Sequence, residues 1–117
     1  MILKAGEKKM HDIIIVSGGF DPIHSGHIKL IEDASKYGDI VVLLNSDTWL
    51  ENKKGKAFLP FVERKIIMNA LKNVIDVIIC GNVDNTCIDG IEKVLKKYPN
   101  HKIKFANGGD RNNNSTP

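Results

Sequence analysis

The chain has 117 residues, 42% hydrophobic and 26% charged, with a formal net charge of +3, which suits one ordinary domain around one core and excludes fibrous or multidomain organisation. No apolar run approaches the ~20 residues that cross a bilayer, and Lys4, Lys8 and Lys9 near the start are followed by no apolar signal region, so the sequence reads as cytoplasmic with no membrane partner. Its lysines are scattered apart from a short cluster at Lys53, Lys54 and Lys56, which argues against nucleic acid and for a small anionic ligand at a local basic site.

In chain order, residues 1–11 read as an N-terminal extension, with Met10 as an alternative start, and residues 12–111 as the folded domain. Apolar runs at 13–16, 40–44 and 77–79, with a shorter alternating one around Ile103 and Phe105, predict four strands. Between the first two, His27, Leu30, Ile31 and Ala34 fall at helical spacing, with Ser25 as N-cap and Gly38 as the stop. Pro60 suits the first position of a second helix, whose stripe is Ile67, Ala70, Leu71 and Val74. Ile88, Ile91, Val94, Leu95 and Tyr98 form a third, which Pro99 ends. The β-α-β-α-β-α-β order predicts an α/β fold, a Rossmann-like αβα sandwich on a parallel sheet with right-handed crossovers. No internal repeat is present, and residues 112–117 form a polar tail expected to be disordered. Cys80 and Cys87 lack CxxC or metal-ligand spacing, so free thiols are expected and no metal site.

Ligands of such sheets bind beyond the carboxyl ends of the strands. The first strand is followed by Ser17-Gly18-Gly19-Phe20-Asp21-Pro22-Ile23-His24-Ser25-Gly26-His27, the second by Asn45-Ser46-Asp47 and the fourth by Asn107-Gly108-Gly109-Asp110-Arg111. Glycines, histidines and aspartates thus gather repeatedly at one edge. Gly18 and Gly19, with Phe20 and Asp21 in the same turn, let backbone approach a phosphate, and Gly26 opens the helix start to an anion. His24 and His27 add directional donors for the same anion. Arg64, one turn before Ile67 on the inward stripe, is placed to grip phosphate with both arms of its fork. Asp21 and Asp47 suit holding a histidine, a lysine or acceptor hydroxyls, or acting as a turn residue and a helix cap. Gly108, Asp110 and Arg111 suit the base or ribose, as a tight turn also would.

From about Ile13 through Arg111 the chain resembles the cytidylyltransferase-like nucleotidyltransferases, in which HxGH between strand and helix is the signature, here His24-Ser25-Gly26-His27. It is similar in particular to the glycerol-3-phosphate cytidylyltransferases and to the adenylyltransferase domain acting on heptose 1-phosphate. The resemblance extends to Asn45-Ser46-Asp47, to the lysine loop running into residues 60–65 and to the glycine-glycine-aspartate turn. It implies an enzyme that moves a nucleoside monophosphate from ATP or CTP to a phosphorylated small molecule and releases pyrophosphate. It also implies Mg2+ carried in by the triphosphate. The loop lysines Lys53, Lys54 and Lys56 would close over the triphosphate and the acceptor phosphate. Asn107-Gly108-Gly109-Asp110 leans toward the heptose-phosphate branch, hence toward ATP and a sugar phosphate.

The family normally continues into a further strand and a helix with a Ser/Thr-rich start, whereas this sequence reaches Pro117 first. A truncated form is therefore the expectation, with an exposed strand edge that favours a homodimer. Two other readings accompany the enzyme: a nucleotide-binding module with little turnover, and a phosphopantetheine-type adenylyltransferase.

Overall fold

The computed structural model describes residues 12–81 and 88–106. Its elements run β1 (Ile13–Gly18), α1 (Ser25–Ala34), β2 (Asp39–Asn45), α2 (Asp47–Lys54), α3 (Phe61–Asn69), β3 (Val74–Cys80), α4 (Ile88–Lys97) and β4 (Ile103–Phe105). The strands form one parallel sheet in the order β3-β2-β1-β4. This is the expected α/β Rossmann-like architecture.

Residues 13–16 and 40–44 are all at most 3% exposed, because helices cover both faces and leave no solvent side to the strands. Strand side chains alternate in direction, so β1, β2 and β3 each feed two cores. Ile14, Val16, Ile40, Val42 and Leu44 pack with Ile31 and Ala34 of α1 and Met68 of α3. Ile13, Ile15, Val41 and Leu43 pack with Cys80 and with Val94 of α4. Each fully buried aliphatic side chain contributes ~1.5–3 kcal/mol, and a one-residue slip of β1 against β2 would exchange the two cores. The pairing Ile14 with Ile40 and Val16 with Val42 fixes that register.

Several boundaries depart from the sequence reading. The N-cap of α1 is His24 and not Ser25, since the imidazole reaches the Gly26 N–H. The helix ends at Ala34 with Ser35 as C-cap, so Gly38 lies in the turn beyond it. Pro60 is the cap residue of α3 rather than its first helical position, and the helix ends at Asn69. Ala70 and Leu71 then turn back onto Met68 and its neighbours, and Asn73, at φ 77, reverses the chain so that Val74 enters β3. On α4, Ile91 and Val94 face the core together with Tyr98 just past the helix end, but Ile88 and Leu95 are more than half exposed. Cys80 is disulfide-bonded, which corrects the expectation of a free thiol. Spacing in sequence does not limit how closely a turn brings two sulfurs, and the partner of Cys80 lies outside the described residues. The N-terminal extension and the polar tail also lie outside them.

Candidate active site

β1 lies between β2 and β4, and in open parallel sheets the carboxyl end of such a strand, where connections leave to opposite sides, is where ligands bind. The turn Gly18-Gly19-Phe20-Asp21 and the mouth of α1 occupy that position. A side chain at Gly19 would place Cβ 2.7 Å from Leu50 Cδ2, so the bare backbone lets α2 pack directly beneath the turn.

The two histidines are set by the main chain. His24 Nδ1 accepts from the Gly26 N–H at 3.0 Å, and His27 Nδ1 accepts from the His24 N–H at 3.1 Å. Together these bonds form a capping box in which imidazoles replace the usual hydroxyl and carboxylate. The rings stack with centroids 3.9 Å apart, and Phe20 meets the His27 ring edge-on at 4.8 Å. A Cβ at Gly26 would lie 2.9 Å from His24 Cε1, so glycine lets the His24 ring fold over the helix start. Because each Nδ1 is an acceptor, each neutral imidazole carries its proton on Nε2. Burial, and secondarily the neighbouring His24, hold the His27 pKa below its ordinary 6.5, which favours that neutral form. The mouth of α1 therefore presents two Nε2–H donors side by side.

Asp21 faces inward, its side chain only 1% exposed. Its carboxylate accepts from the Phe58 N–H at 2.6 Å and the Leu59 N–H at 2.8 Å, and Lys54 Nζ stands 3.2 Å away. Burial by itself would raise its pKa, but the two N–H groups and Lys54 outweigh burial and lower it. Lys54 Nζ also donates to the Asp21 carbonyl at 2.9 Å. Lys54 therefore ties the β1 turn to the end of α2. Lys53 belongs to the same last turn, with Nζ 5.3 Å from the Trp49 ring centroid, so both lysines sit on a helix and not in a loop. Gly55, at φ 91, ends that helix, and exposed Lys56 follows without a hydrogen bond or ion pair among the described residues.

Arg64 departs furthest from its expected place. The guanidinium is fully buried and donates to four acceptors: Leu59 O at 2.9 Å, Gly19 O at 3.1 Å, Asn45 O at 2.7 Å and Asp47 Oδ1 at 2.6 Å. An arginine so engaged has at most one N–H left, so the phosphate-gripping role does not agree with its surroundings. The helical stripe indicated the inward direction but not that carbonyls would meet the side chain there. Asp47 holds Arg64 and favours the start of α2 as its first residue, while the cap is Ser46, whose Oγ accepts from the Trp49 N–H and donates to Gly81 O, both at 3.0 Å. The Ser46-Asp47-Thr48-Trp49 string carried that cap signal. Gly108, Asp110 and Arg111 lie outside the described residues.

The chemistry is distinct from an open apolar groove of about 390 Å³ between α1 and β4, lined chiefly by Ile14, Leu30, Ala34, Tyr37 and Phe105. Among the described residues no helix is long and apolar enough to cross a membrane, and no group of three or more His, Cys, Asp or Glu could hold a metal ion.

A family model described as cytidylyltransferase-like matches residues 15–110. The bifunctional protein HldE of Escherichia coli strain K12 / DH10B is 27% identical over 123 residues, covering 94% of this chain and 26% of that protein. The same figures hold for the protein of that name in Shigella boydii serotype 18, so the chain spans about a quarter of the length of these curated relatives. The fold alone is shared with the lipopolysaccharide core biosynthesis protein of Thermoplasma volcanium GSS1, at TM-score 0.58 and 19% identity, covering 83% of this chain and 97% of that one. With the family model spanning the histidine pair together with Asp21 and Arg64, the chain belongs to the cytidylyltransferase-like family of nucleotidyltransferases.

Proposed function

We propose that the chain transfers a nucleoside monophosphate from ATP to a sugar 1-phosphate with release of pyrophosphate. The observation that carries this reading is the stacked His24/His27 pair, both Nδ1 atoms bonded to backbone and both Nε2–H groups left to donate. An oxygen of the acceptor phosphate attacks the α-phosphorus, the bond to the β-phosphate oxygen breaks, and pyrophosphate leaves. Charge grows on the equatorial oxygens, where preplaced donors stabilise the transition state more than the ground state. No covalent enzyme intermediate is required.

Lys53 and Lys56 supply mobile positive charge for the triphosphate and the acceptor phosphate, whereas Lys54 holds the turn through Asp21. Asp21 has both oxygens committed to Phe58, Leu59 and Lys54, and Asp47 is bonded to Arg64. These carboxylates do not make a protein cage for magnesium, which in this proposal arrives on the triphosphate and neutralises its charge. Supporting adenylyl transfer and a sugar phosphate is the resemblance of the Asn107-Gly108-Gly109-Asp110 string to the heptose-phosphate branch. The test is a panel of nucleoside triphosphates against phosphorylated acceptors, read by pyrophosphate release. ATP with a sugar 1-phosphate should give the highest rate. Preferred use of CTP with glycerol 3-phosphate would move the assignment to the other branch, and no release from any pair would overturn transfer.

A further inference from the structure

The guanidinium of Arg64 joins segments far apart in sequence through their carbonyls: Gly19 in the turn after β1, Asn45 at the end of β2 and Leu59 before α3. A peptide unit is planar and trans, so a carbonyl fixed on one side aims the next residue's N–H to the other. The Asn45-Ser46 peptide illustrates this: its carbonyl meets Arg64, and the Ser46 N–H runs to Cys80 O at 2.9 Å. By the same geometry, anchoring Gly19 O at 3.1 Å turns the Phe20 N–H away from the buried guanidinium. Phe20 stands at φ 49, a left-handed conformation that side chains other than glycine rarely adopt unaided. On its other side the Asp21 carbonyl is held by Lys54. The Phe20 ring meanwhile touches His27 at 4.8 Å.

We infer that Arg64 is a positioning residue: by holding the Gly19 carbonyl it presents the Phe20 N–H as a third donor to the phosphate, beside the two imidazoles. This rests on the nucleotidyltransferase reading for the identity of the anion, but not for the order of the turn. Lysine at position 64 keeps a charge and loses the planar fork, so it cannot bond Gly19, Asn45 and Leu59 together.

The experiment compares the parent chain with Arg64→Lys by amide NMR, thermal unfolding and pyrophosphate titration. In the parent, the Phe20 amide should be as rigid as those of β1 and should shift on adding pyrophosphate. In R64K, residues 18–20 should become mobile while the β1 and β2 amides stay rigid, and pyrophosphate should bind about tenfold or more weakly. Turnover should fall ~10²-fold, the loss expected for one preplaced donor, with KM for the triphosphate changing less than kcat. A turn that stays ordered in R64K, or one that loosens without weakening pyrophosphate binding, overturns the assignment. If R64K does not fold, the parent decides: a mobile Phe20 amide, or one indifferent to bound pyrophosphate, overturns it as well. A parent that binds neither ATP nor pyrophosphate sinks the anion-donor role along with the nucleotidyltransferase reading. A parent that binds and turns over beside an R64K of equal affinity and rate sinks the Arg64 role alone.

Discussion

At the carboxyl end of the sheet Asp21 and Arg64 bind the main chain: a carboxylate takes the N–H groups of Phe58 and Leu59, and a guanidinium takes the carbonyls of Gly19, Asn45 and Leu59. At the amino end the carboxylates take side chains as their main partners, and Asp76 Oδ1 also accepts from the Val77 N–H at 3.0 Å. Asp76 receives Lys97 Nζ at 2.6 Å and the Tyr98 hydroxyl at 2.9 Å, and Asp12 receives Lys104 at 2.9 Å. Bonds to backbone set the shape of a turn, whereas bonds between side chains fasten one element to another. The first kind predominates where ligand is proposed to enter, beside the side-chain pairs Arg64–Asp47 and Lys54–Asp21, and the second where the fold needs only to be held together.

The strongest way to break this comparison is at the histidines. Replacing His24 and His27 by alanine should lower pyrophosphate release by ~10²-fold or more while nucleotide affinity changes much less. Loss of the cap should also cost about 1 kcal/mol of stability. A double variant with near-parental turnover would remove the reason for placing chemistry at the mouth of α1.

Asp21→Ala tests the main-chain staple. It leaves two N–H groups without their acceptor, a loss of roughly 1–3 kcal/mol. The folded carboxyl titrates below its ordinary 3.8, so its contribution is present above that pH and disappears as pH falls through the lower folded value. Thermal unfolding of the variant should therefore converge with the parent in strong acid and diverge above pH 3.8. A constant difference across that window would show that the charge is not what the two amides bind.

A smaller effect is expected from pH acting on His27. Its folded pKa lies below 6.5, so the neutral ring contributes stability above pH 6.5 that is lost as pH falls through the folded value. Protonation places a proton on Nδ1 and ends its bond to the His24 N–H. Imidazole NMR shifts should show His27 titrating below 6.5, and turnover should decline with it. A midpoint above 6.5 would contradict the acceptor geometry.

The smallest effect belongs to the amino end. Tyr98→Phe removes one hydroxyl bond to Asp76, about 1 kcal/mol, and should leave turnover unchanged. Burial, then the bond to Asp76 and the charges of Asp76 and Asp39, push the Tyr98 pKa up to about 12 from 10.0. The parent should thus lose stability as pH rises from about 10 through 12, and the phenylalanine variant should lack that step. A fall in turnover in this variant would show that the two ends are not independent.

The strands were legible because residues buried on both faces make unbroken apolar runs, and the candidate site stood out because its glycines and histidines stand together after the first of them. Partners that the backbone supplies were not. Nothing in the residues around Arg64 announces that Gly19, Asn45 and Leu59 will turn their carbonyls toward it, since that depends on segments up to 45 positions apart. The cap on α1 was misplaced by one residue because serine is the commoner cap and an imidazole can do the same work. The lysine cluster read as a loop because Gly55 lies within it, yet that glycine marks the end of a helix that carries Lys53 and Lys54. Val74 read as helical because its spacing from Ile67 ignores the reversal at Asn73.

Trp49, the chain's single tryptophan, donates its backbone N–H to Ser46 Oγ, and Ser46 is bonded in turn to Gly81 O just past β3. The indole lies so near that a Cβ on Gly81 would come within 2.6 Å of its Cδ1, and Lys53 Nζ stands over the ring at 5.3 Å from its centroid. The emission of this molecule therefore comes from one known point on the rim, with an ammonium as neighbour. Movement of Lys53 toward a bound phosphate would change the field at that indole, making the rim its own optical gauge of ligand arrival without an added label.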